Sequence, residues 1–212
     1  MIEFIADPGC NWESMKDLKY LMKECKWYGV SAFKPQLWEC DKLYDSDNVF
    51  YDWQKSHELT FDQAKEIFEF GQEIELEVFF SVFDVERVKW CEEICVERYK
   101  IASSIPSDHD IVRAVCDTGK RIITSECDSI FSFIKQVPRS SYDVLYCKAS
   151  YPASMSEYDL GYLYIFNGIS DHTKGIELAL MACSYQFITS DSDFIVEKHV
   201  APIKEKALPN RS

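Results

Sequence analysis

The chain has 212 residues, of which 47% are hydrophobic and 15% aromatic, a composition typical of one globular domain with a substantial core. The formal net charge of −13 disfavours nucleic acid or an anionic membrane surface as the main partner, because both repel an acidic protein. The sequence opens without a basic and apolar leader and has no run of about 18 apolar residues, so we expect a cytoplasmic protein.

Short β-branched or aromatic runs alternate with amphipathic stretches along the chain, which is typical of βα units around a parallel sheet. Eight runs are apolar enough to be strands covered on both faces. These predicted strands are Glu3–Asp7, Ala32–Gln36, Glu77–Val82, Arg98–Ala102, Arg121–Ser125, Val144–Lys148, Tyr164–Ile169 and Phe194–Lys198.

Six intervening stretches have apolar residues three or four positions apart, which predicts helices. They are Glu13–Tyr28, Asp62–Ile74, Val85–Val96, Asp108–Thr118, Ser129–Gln136 and Gly175–Ser184. Gly29 and Gly119 stand where helices should end, and Ser107 or Asp108 suits a helix N-cap. The segment Leu37–Leu59 is predicted to be a long loop.

This order of elements predicts a compact (β/α)8 TIM barrel that forms a single domain over residues 1–212. Residues 149–163 show little helical periodicity and only Ala201–Ser212 follow the last strand, so outer helices should be reduced or missing after strands 6 and 8. An incomplete outer layer predicts an exposed apolar patch, which a second copy in a homodimer or a separate partner would cover.

Polar residues close nearly every predicted strand, and in a barrel these positions share one pole, where active sites form. Lys34 and Lys100 lie inside otherwise apolar strands, where an unpaired ammonium is costly, so we expect them to bind phosphate or carboxylate. The strand-end residues include Asp7, Lys34, Gln36, Ser81, Lys100, Ser103, Thr124, Ser125, Glu126, Lys148, Tyr151 and Ser170.

Two histidines, His172 and His199, close the seventh and eighth strands. Histidines at neighbouring strand ends can share one cation, so this pair predicts a divalent metal site. His57 and His109 lack such a context and are predicted to lie on the surface. The nine cysteines include no Cys-x-x-Cys pair, which favours buried reduced thiols.

Short motifs at successive strand ends resemble those of the sialic acid (N-acetylneuraminate) synthases. The similar stretches, in chain order, are Ile5-Ala6-Asp7-Pro8-Gly9-Cys10-Asn11, Phe33-Lys34-Pro35-Gln36, Phe83-Asp84, Tyr99-Lys100-Ile101-Ala102-Ser103, Thr118-Gly119-Lys120, Ser150-Tyr151-Pro152-Ala153, Ser170-Asp171-His172-Thr173-Lys174-Gly175-Ile176-Glu177 and Glu197-Lys198-His199. Their ordered spread over nearly the whole chain makes the resemblance specific for family and fold.

The resemblance implies a transferase-type synthase that joins phosphoenolpyruvate to an N-acetylated amino sugar or a related aldose and releases phosphate. It implies a Mn2+ or Mg2+ ion held by His172 and His199, which polarises the acceptor aldehyde. Asp7, Lys100 and His172 are then the expected catalytic residues, with Asp7 acting as a base or orienting the attacking water. The expected substrate-binding residues are Lys34, Gln36, Ser81, Ser103, Thr124, Ser125, Glu126, Tyr151 and Ser170.

The chain also departs from the family pattern. Asp7 replaces a glutamate, Trp12 replaces a histidine, and Ile105 stands where an acceptor-binding carboxylate is expected, a role for which Glu126 is the hypothetical replacement. The family's C-terminal antifreeze-like domain is not expected within the 212 residues. Two alternatives therefore stay open: a Schiff-base aldolase that uses Lys148, or an inactive binding or assembly protein with a synthase-like barrel.

Overall fold

Ten parallel strands form one sheet in the computed structural model, which describes residues 1–105, 109–126, 137–189 and 192–201. The strands are β1 Ile2–Asp7, β2 Ala32–Phe33, β3 Gln36–Leu37, β4 Glu77–Val78, β5 Phe80–Val82, β6 Arg98–Ile101, β7 Arg121–Ser125, β8 Tyr142–Cys147, β9 Gly168–Asp171 and β10 Phe194–His199. The α-helices are α1 Met15–Trp27, α2 Cys40–Leu43, α3 Tyr51–Ser56, α4 Phe61–Glu73, α5 Val85–Glu93, α6 His109–Asp117 and α7 Glu177–Thr189.

Two of the predicted strands are each interrupted, which accounts for ten strands in place of eight. Pro35 has no N–H to donate, and it separates β2 from β3. The ladder continues across this break, because the Ser81 amide donates to the Pro35 carbonyl (3.0 Å) and the Phe79 amide donates to the Phe33 carbonyl (3.3 Å).

The sheet curls so that its two ends meet. The strand order is β3-β5-β6-β7-β8-β9-β10-β1-β2-β4. The first strand of this order, β3, continues β2 along the chain, and its neighbour β5 continues β4, which is the last strand of the order. Since β2 pairs with β4 and β3 pairs with β5, the first and last strands lie next to each other.

Local sequence explains where the helices begin and end. The Ser14 hydroxyl caps α1 by accepting from the Asp17 amide, and Thr60 and Gln63 form a reciprocal capping box at α4. Gly29 and Gly119 follow their helices with φ of +78° and +70°, a left-handed conformation that glycine adopts without steric cost. Both glycine predictions are confirmed.

Side chains inside the curled sheet form layers, because successive residues of a strand point to opposite faces. One apolar layer contains Ile5, Ala32, Phe79, Ile123, Leu145 and Ile195. Two residues further along the same chain segments come Asp7, Lys34, Ser81, Ser125, Cys147 and Glu197, all buried. The apolar layer therefore supports a polar layer at the carboxyl ends of the strands.

The structure corrects two details of the sequence prediction. Leu37–Leu59 is more than a loop, because it contains the short helices α2 and α3. The seventh predicted strand begins late, at Gly168, since Leu160–Ile165 forms a 3₁₀ helix. Residues 148–167 contain a further 3₁₀ helix, Met155–Glu157, and no α-helix, so the outer layer is reduced there as predicted.

Some predictions fall outside the described residues. They are the helix Ser129–Gln136, the cap at Ser107 or Asp108, and the chain end from 202 to 212.

Apolar side chains are exposed on α7 and on the 3₁₀ helix Leu160–Ile165, which pack against each other. Those exposed are Tyr162, Tyr164, Ile165, Leu180, Met181, Phe187 and Ile188, together with Ile176 immediately before α7. An apolar patch was predicted for this part of the molecule, and the homodimer or partner that would cover it stays a prediction. Over the described ranges, no helix is both long enough and apolar enough to cross a membrane.

Candidate active site

A cavity of about 440 Å3 opens at the carboxyl ends of the strands. Most of the predicted site residues line it: Asp7, Lys34, Gln36, Ser81, Lys100, Ser103, Ser125, Tyr151, His172 and His199. Predicted residues from the whole length of the chain thus meet at one pole of the sheet.

Lys34 and Asp7 form a buried ion pair on the cavity floor. The Lys34 ammonium donates to Asp7 Oδ2 (2.6 Å) and to the Ser81 hydroxyl (2.9 Å), and both charged side chains are only 2% exposed. Asp7 also accepts from the Gly9 amide and from Gln36 Nε2. Burial by itself would raise the pKa of Asp7, but His199, Lys34 and these hydrogen bonds hold it well below its ordinary value.

Lys100 and Glu197 form a second charged group beside the first. The Lys100 ammonium donates to the Ser125 hydroxyl (2.7 Å) and lies 3.7 Å from Glu197 Oε2. The Ser170 hydroxyl donates to Glu197 Oε1 (2.8 Å), and this oxygen is also 3.8 Å from Lys34 Nζ. Two buried carboxylates therefore neutralise two buried ammonium groups.

The two lysines differ in pKa because their neighbours differ. Burial alone would lower the pKa of Lys34, but Asp7 and Glu197 outweigh burial and raise it. For Lys100, burial is the largest influence and the pKa is lowered, since Glu197 only partly opposes it and Lys34 adds repulsion.

The two strand-end histidines lie side by side at the cavity. Their ring centroids are 5.6 Å apart, and the Tyr151 ring lies 4.9 Å from each. His172 Nδ1 lies 2.8 Å from the Lys148 carbonyl, which can only accept, so Nδ1 carries the proton and Nε2 is left as the ligand nitrogen. Burial lowers the pKa of His199 to about 4.

The two imidazoles can supply two of the ligands of one divalent ion. Imidazoles that bind one ion at about 2.1 Å each have centroids at most about 6.5 Å apart, and the observed 5.6 Å satisfies this limit. His199 is neutral at pH 7, whereas contacts with Cys147 outweigh burial and raise the pKa of His172, so an ion would have to displace its proton. Within the described residues, no group of three or more His, Cys, Asp or Glu side chains has metal-site geometry; other coordination positions would fall to water or substrate.

Three predicted substrate-binding residues, Thr124, Glu126 and Ser170, are absent from the cavity lining. Thr124 is buried and donates to the Ser125 carbonyl (3.2 Å), since neighbours on a strand face opposite sides and Ser125 takes the inward position. Glu126 follows on the next position, and it is likewise absent from the cavity lining. Substrate binding by these three residues stays a prediction.

Lys148 gives the aldolase alternative no support. Its ammonium lies 4.9 Å from the centroid of the Tyr146 ring, and Tyr146 packs with Leu178 and Ala182 of α7, outside the sheet. In the described part of the chain, the lysines on the cavity floor are Lys34 and Lys100.

The prediction that His57 lies on the surface was also wrong. His57 is 8% exposed, and its ring nitrogens lie 2.6 Å from the Trp53 carbonyl and 2.7 Å from the Trp12 carbonyl. It therefore joins α3 to the segment after β1. The side chain of His109 lies outside the described residues.

Two residues of the site were not predicted from the sequence. Glu197 was placed at a strand end but given no role, and Cys147 was not considered. The Sγ atom of Cys147 lies 3.9 Å from both ring nitrogens of His172. Burial by itself would raise the pKa of Cys147, but His172 and Lys100 outweigh it and lower it. Because side chains alternate between the two faces of a strand, the residues two positions after the inward-facing Leu145 and Ile195 also face inward, and this pattern would have identified both Cys147 and Glu197.

A curled parallel sheet with a charged cavity at the carboxyl ends of its strands is the arrangement in which barrel enzymes build their active sites. The sequence model of the NeuB family matches residues 21–202. The chain therefore belongs to the NeuB family, which confirms the resemblance to sialic acid synthases.

Named relatives agree with this membership. The chain is 26% identical to a pseudaminic acid synthase of Helicobacter pylori over 74% of this chain and 50% of that protein. It is 22% identical to an N,N'-diacetyllegionaminic acid synthase of Campylobacter jejuni over 98% of this chain and 65% of that protein. The chain thus spans between half and two thirds of the length of these relatives.

A solved structure shares the fold. The chain superposes on an N-acetylneuraminic acid synthetase of Leptospira borgpetersenii with a TM-score of 0.83 and 24% sequence identity, over 93% of this chain and 72% of the other. At this identity the likeness supports the fold alone.

Proposed function

We propose that this chain condenses phosphoenolpyruvate with an N-acetylated amino sugar or a related aldose and releases phosphate. The observation that carries the proposal is the cavity floor itself. Two buried ammonium groups, each hydrogen-bonded to a serine hydroxyl, lie in one cavity with two imidazoles. We also infer that the ten strands are the eight strands of a (β/α)8 barrel, two of them interrupted.

Lys34 and Lys100 are suited to hold the phosphate and carboxylate of phosphoenolpyruvate. An ammonium has three N–H donors; among described partners, Lys34 uses two of them on Asp7 and Ser81. Lys100 donates to Ser125 and, over a longer 3.5 Å, to the Ile101 carbonyl. Each lysine therefore keeps a donor for an anionic ligand, with the serine hydroxyls and Ser103 beside it.

Asp7 is suited to orient the attacking water. Its depressed pKa keeps the carboxylate ionised at neutral pH and makes it a weak proton acceptor, since an effective general base has a pKa near the working pH. Hydrogen bonds from Gly9 and Gln36 fix its direction. Asp7 accepts a hydrogen bond from water more readily than it removes a proton.

In the reaction, the methylene carbon of phosphoenolpyruvate forms a bond with the aldehyde carbon of the acceptor, whose oxygen takes up a proton. Water adds to the resulting cationic carbon and loses a proton. The carbon–oxygen bond to phosphate then breaks as the new hydroxyl becomes the ketone carbonyl and passes its proton to the departing phosphate. His172 and His199 would hold a divalent Mn2+ or Mg2+ ion, which as a Lewis acid would polarise the aldehyde oxygen. Tyr151, packed against both rings, would keep these imidazoles in place, and with Gln36 it would contact the acceptor.

The test is phosphate release by the purified chain from phosphoenolpyruvate and N-acetylmannosamine, with MnCl2 or with EDTA. We expect metal-dependent release that Lys100→Met abolishes and Lys148→Met leaves within twofold of the parent. Phosphoenolpyruvate binding with no release under any metal would overturn the synthase proposal and favour an inactive binding protein. Borohydride trapping of a pyruvate adduct on Lys148 would instead establish the aldolase.

A further inference from the structure

One wall of the cavity differs in chemistry from its floor. This wall comes from the segments after β1, β3 and β5, and it consists of Cys10, Trp38, Leu43, Tyr44, Gln54 and Phe83. None of these side chains carries a full charge at neutral pH, whereas the floor contains two carboxylates and two ammonium groups. The wall therefore suits an uncharged part of a ligand.

Trp38 gives the wall its aromatic surface. Its side chain is 3% exposed, and its ring packs edge-on against Phe83 at a centroid distance of 6.3 Å. Trp38 also clusters with Cys10 and Cys40. A ligand that presented only hydroxyl groups would leave this apolar surface unfilled, whereas a short alkyl group would cover it.

Gln54 gives the wall a hydrogen-bonding group. The residue is 7% exposed, and its Oε1 accepts from the Cys10 thiol at 3.5 Å. Within the described ranges, the Gln54 side chain makes its hydrogen bond through Oε1, which leaves Nε2 as its donor group, and the buried indole Nε1 of Trp38 has no acceptor there. A ligand that presents an acceptor oxygen here would pair with the amide donor of Gln54.

The wall is held in place by contacts behind it. His57 fixes the end of α3 to the Trp12 carbonyl, and Glu58 accepts from the Cys40 amide at 3.0 Å. Arg87 donates to Glu39 (2.9 Å) and to Glu58 (3.4 Å). Such support keeps the position of Gln54 and Trp38 fixed before a ligand arrives.

We propose that Trp38 and Gln54 form the subsite for an uncharged N-acyl substituent on the acceptor. The Gln54 amide donates to the acyl carbonyl oxygen, and the Trp38 ring packs against the alkyl end of the acyl group. This inference rests on the proposed function, and it makes Trp38 and Gln54 determinants of acceptor specificity rather than catalytic residues.

A kinetic experiment compares N-acetylmannosamine with mannose, which lacks the acyl group, in the parent chain and in Gln54→Met. Methionine preserves the volume and removes the donor, and Gln72→Met on the exposed end of α4 is the matched control. Losing one neutral hydrogen bond should raise KM for N-acetylmannosamine about tenfold. KM for phosphoenolpyruvate and for mannose should not move. An unchanged ratio of kcat/KM for the two sugars would overturn the subsite.

Saturation-transfer NMR tests the same inference without turnover. In the presence of phosphoenolpyruvate, the acetyl methyl protons of N-acetylmannosamine should receive more saturation than the ring protons, and Gln54→Met should reduce this difference. A methyl signal no stronger than the ring signals would overturn the subsite. A strong methyl signal with no phosphate release would instead contradict the proposed function and leave the subsite supported.

Discussion

Replacing Lys34 by methionine should destabilise the fold strongly, although the new side chain is apolar and similar in length. Lys34 lies 2.6 Å from Asp7 and 3.8 Å from Glu197, and all three side chains are at most 3% exposed. Without its ammonium, two buried carboxylates share Lys100 as their only described lysine neighbour. Removing one partner of a buried ion pair costs about 3 to 5 kcal/mol.

Urea denaturation followed by circular dichroism measures this effect. With a urea dependence of about 2 kcal/mol/M, a loss of about 3 kcal/mol lowers the midpoint by about 1.5 M. Asp7→Asn combined with Lys34→Met should recover at least half of the loss, because the pair of unlike charges is then removed together.

The exposed pair Lys65 and Glu69 supplies the control. Their charged atoms are 4.0 Å apart and the side chains are 53% and 61% exposed, so Lys65→Met should change the free energy of unfolding by less than about 0.5 kcal/mol. If Lys34→Met is no more destabilising than Lys65→Met, the Lys34 ammonium is not buried between carboxylates and the reasoning fails.

Three further predictions follow from single contacts. The pKa of His199 is lowered from 6.5 to about 4, so between those pH values the unfolded chain binds a proton at His199 and the folded chain does not. The free energy of unfolding therefore falls as the pH drops through this range, by about 3 kcal/mol in total. His199→Gln should lose that part of the pH dependence, which urea titrations at pH 4 and pH 7 measure. Because Glu126 is absent from the cavity lining, Glu126→Gln should leave KM for the acceptor within twofold, and a rise of tenfold would support the hypothesis that Glu126 binds the acceptor. Gly168→Ala would place a Cβ 2.1 Å from the Ile195 carbonyl oxygen and should lower the melting temperature by several degrees or abolish folding, whereas Gly29→Ala, with no atom within 4 Å of the added Cβ, should cost only the strain of its positive φ.

Sequence periodicity was enough to predict most of the sheet and much of the site. Among the described residues, every strand overlaps an apolar run that predicted it. The residue that ends an inward-facing row, such as Lys34 or His199, could be identified from its position in the predicted strand. This succeeded because the period of two along a strand is a local property.

The errors arose where the outcome depends on distant contacts or on a one-residue register. Thr124 and Ser125 are neighbours, and only the register decides which one faces the cavity. The burial of His57 depends on Trp12, 45 residues earlier, and the pairing of Glu197 with Lys100 joins residues 97 positions apart. No local pattern contains that information.

The measurement that tests the central claim most directly is calorimetric titration of the chain with phosphoenolpyruvate in the presence of MnCl2. If the cavity floor is an anion site built from Lys34 and Lys100, the parent chain binds, Lys100→Met weakens binding about a hundredfold, and Lys148→Met leaves it within twofold. Equal binding by the parent and Lys100→Met, with both variants folded by circular dichroism, would contradict the account.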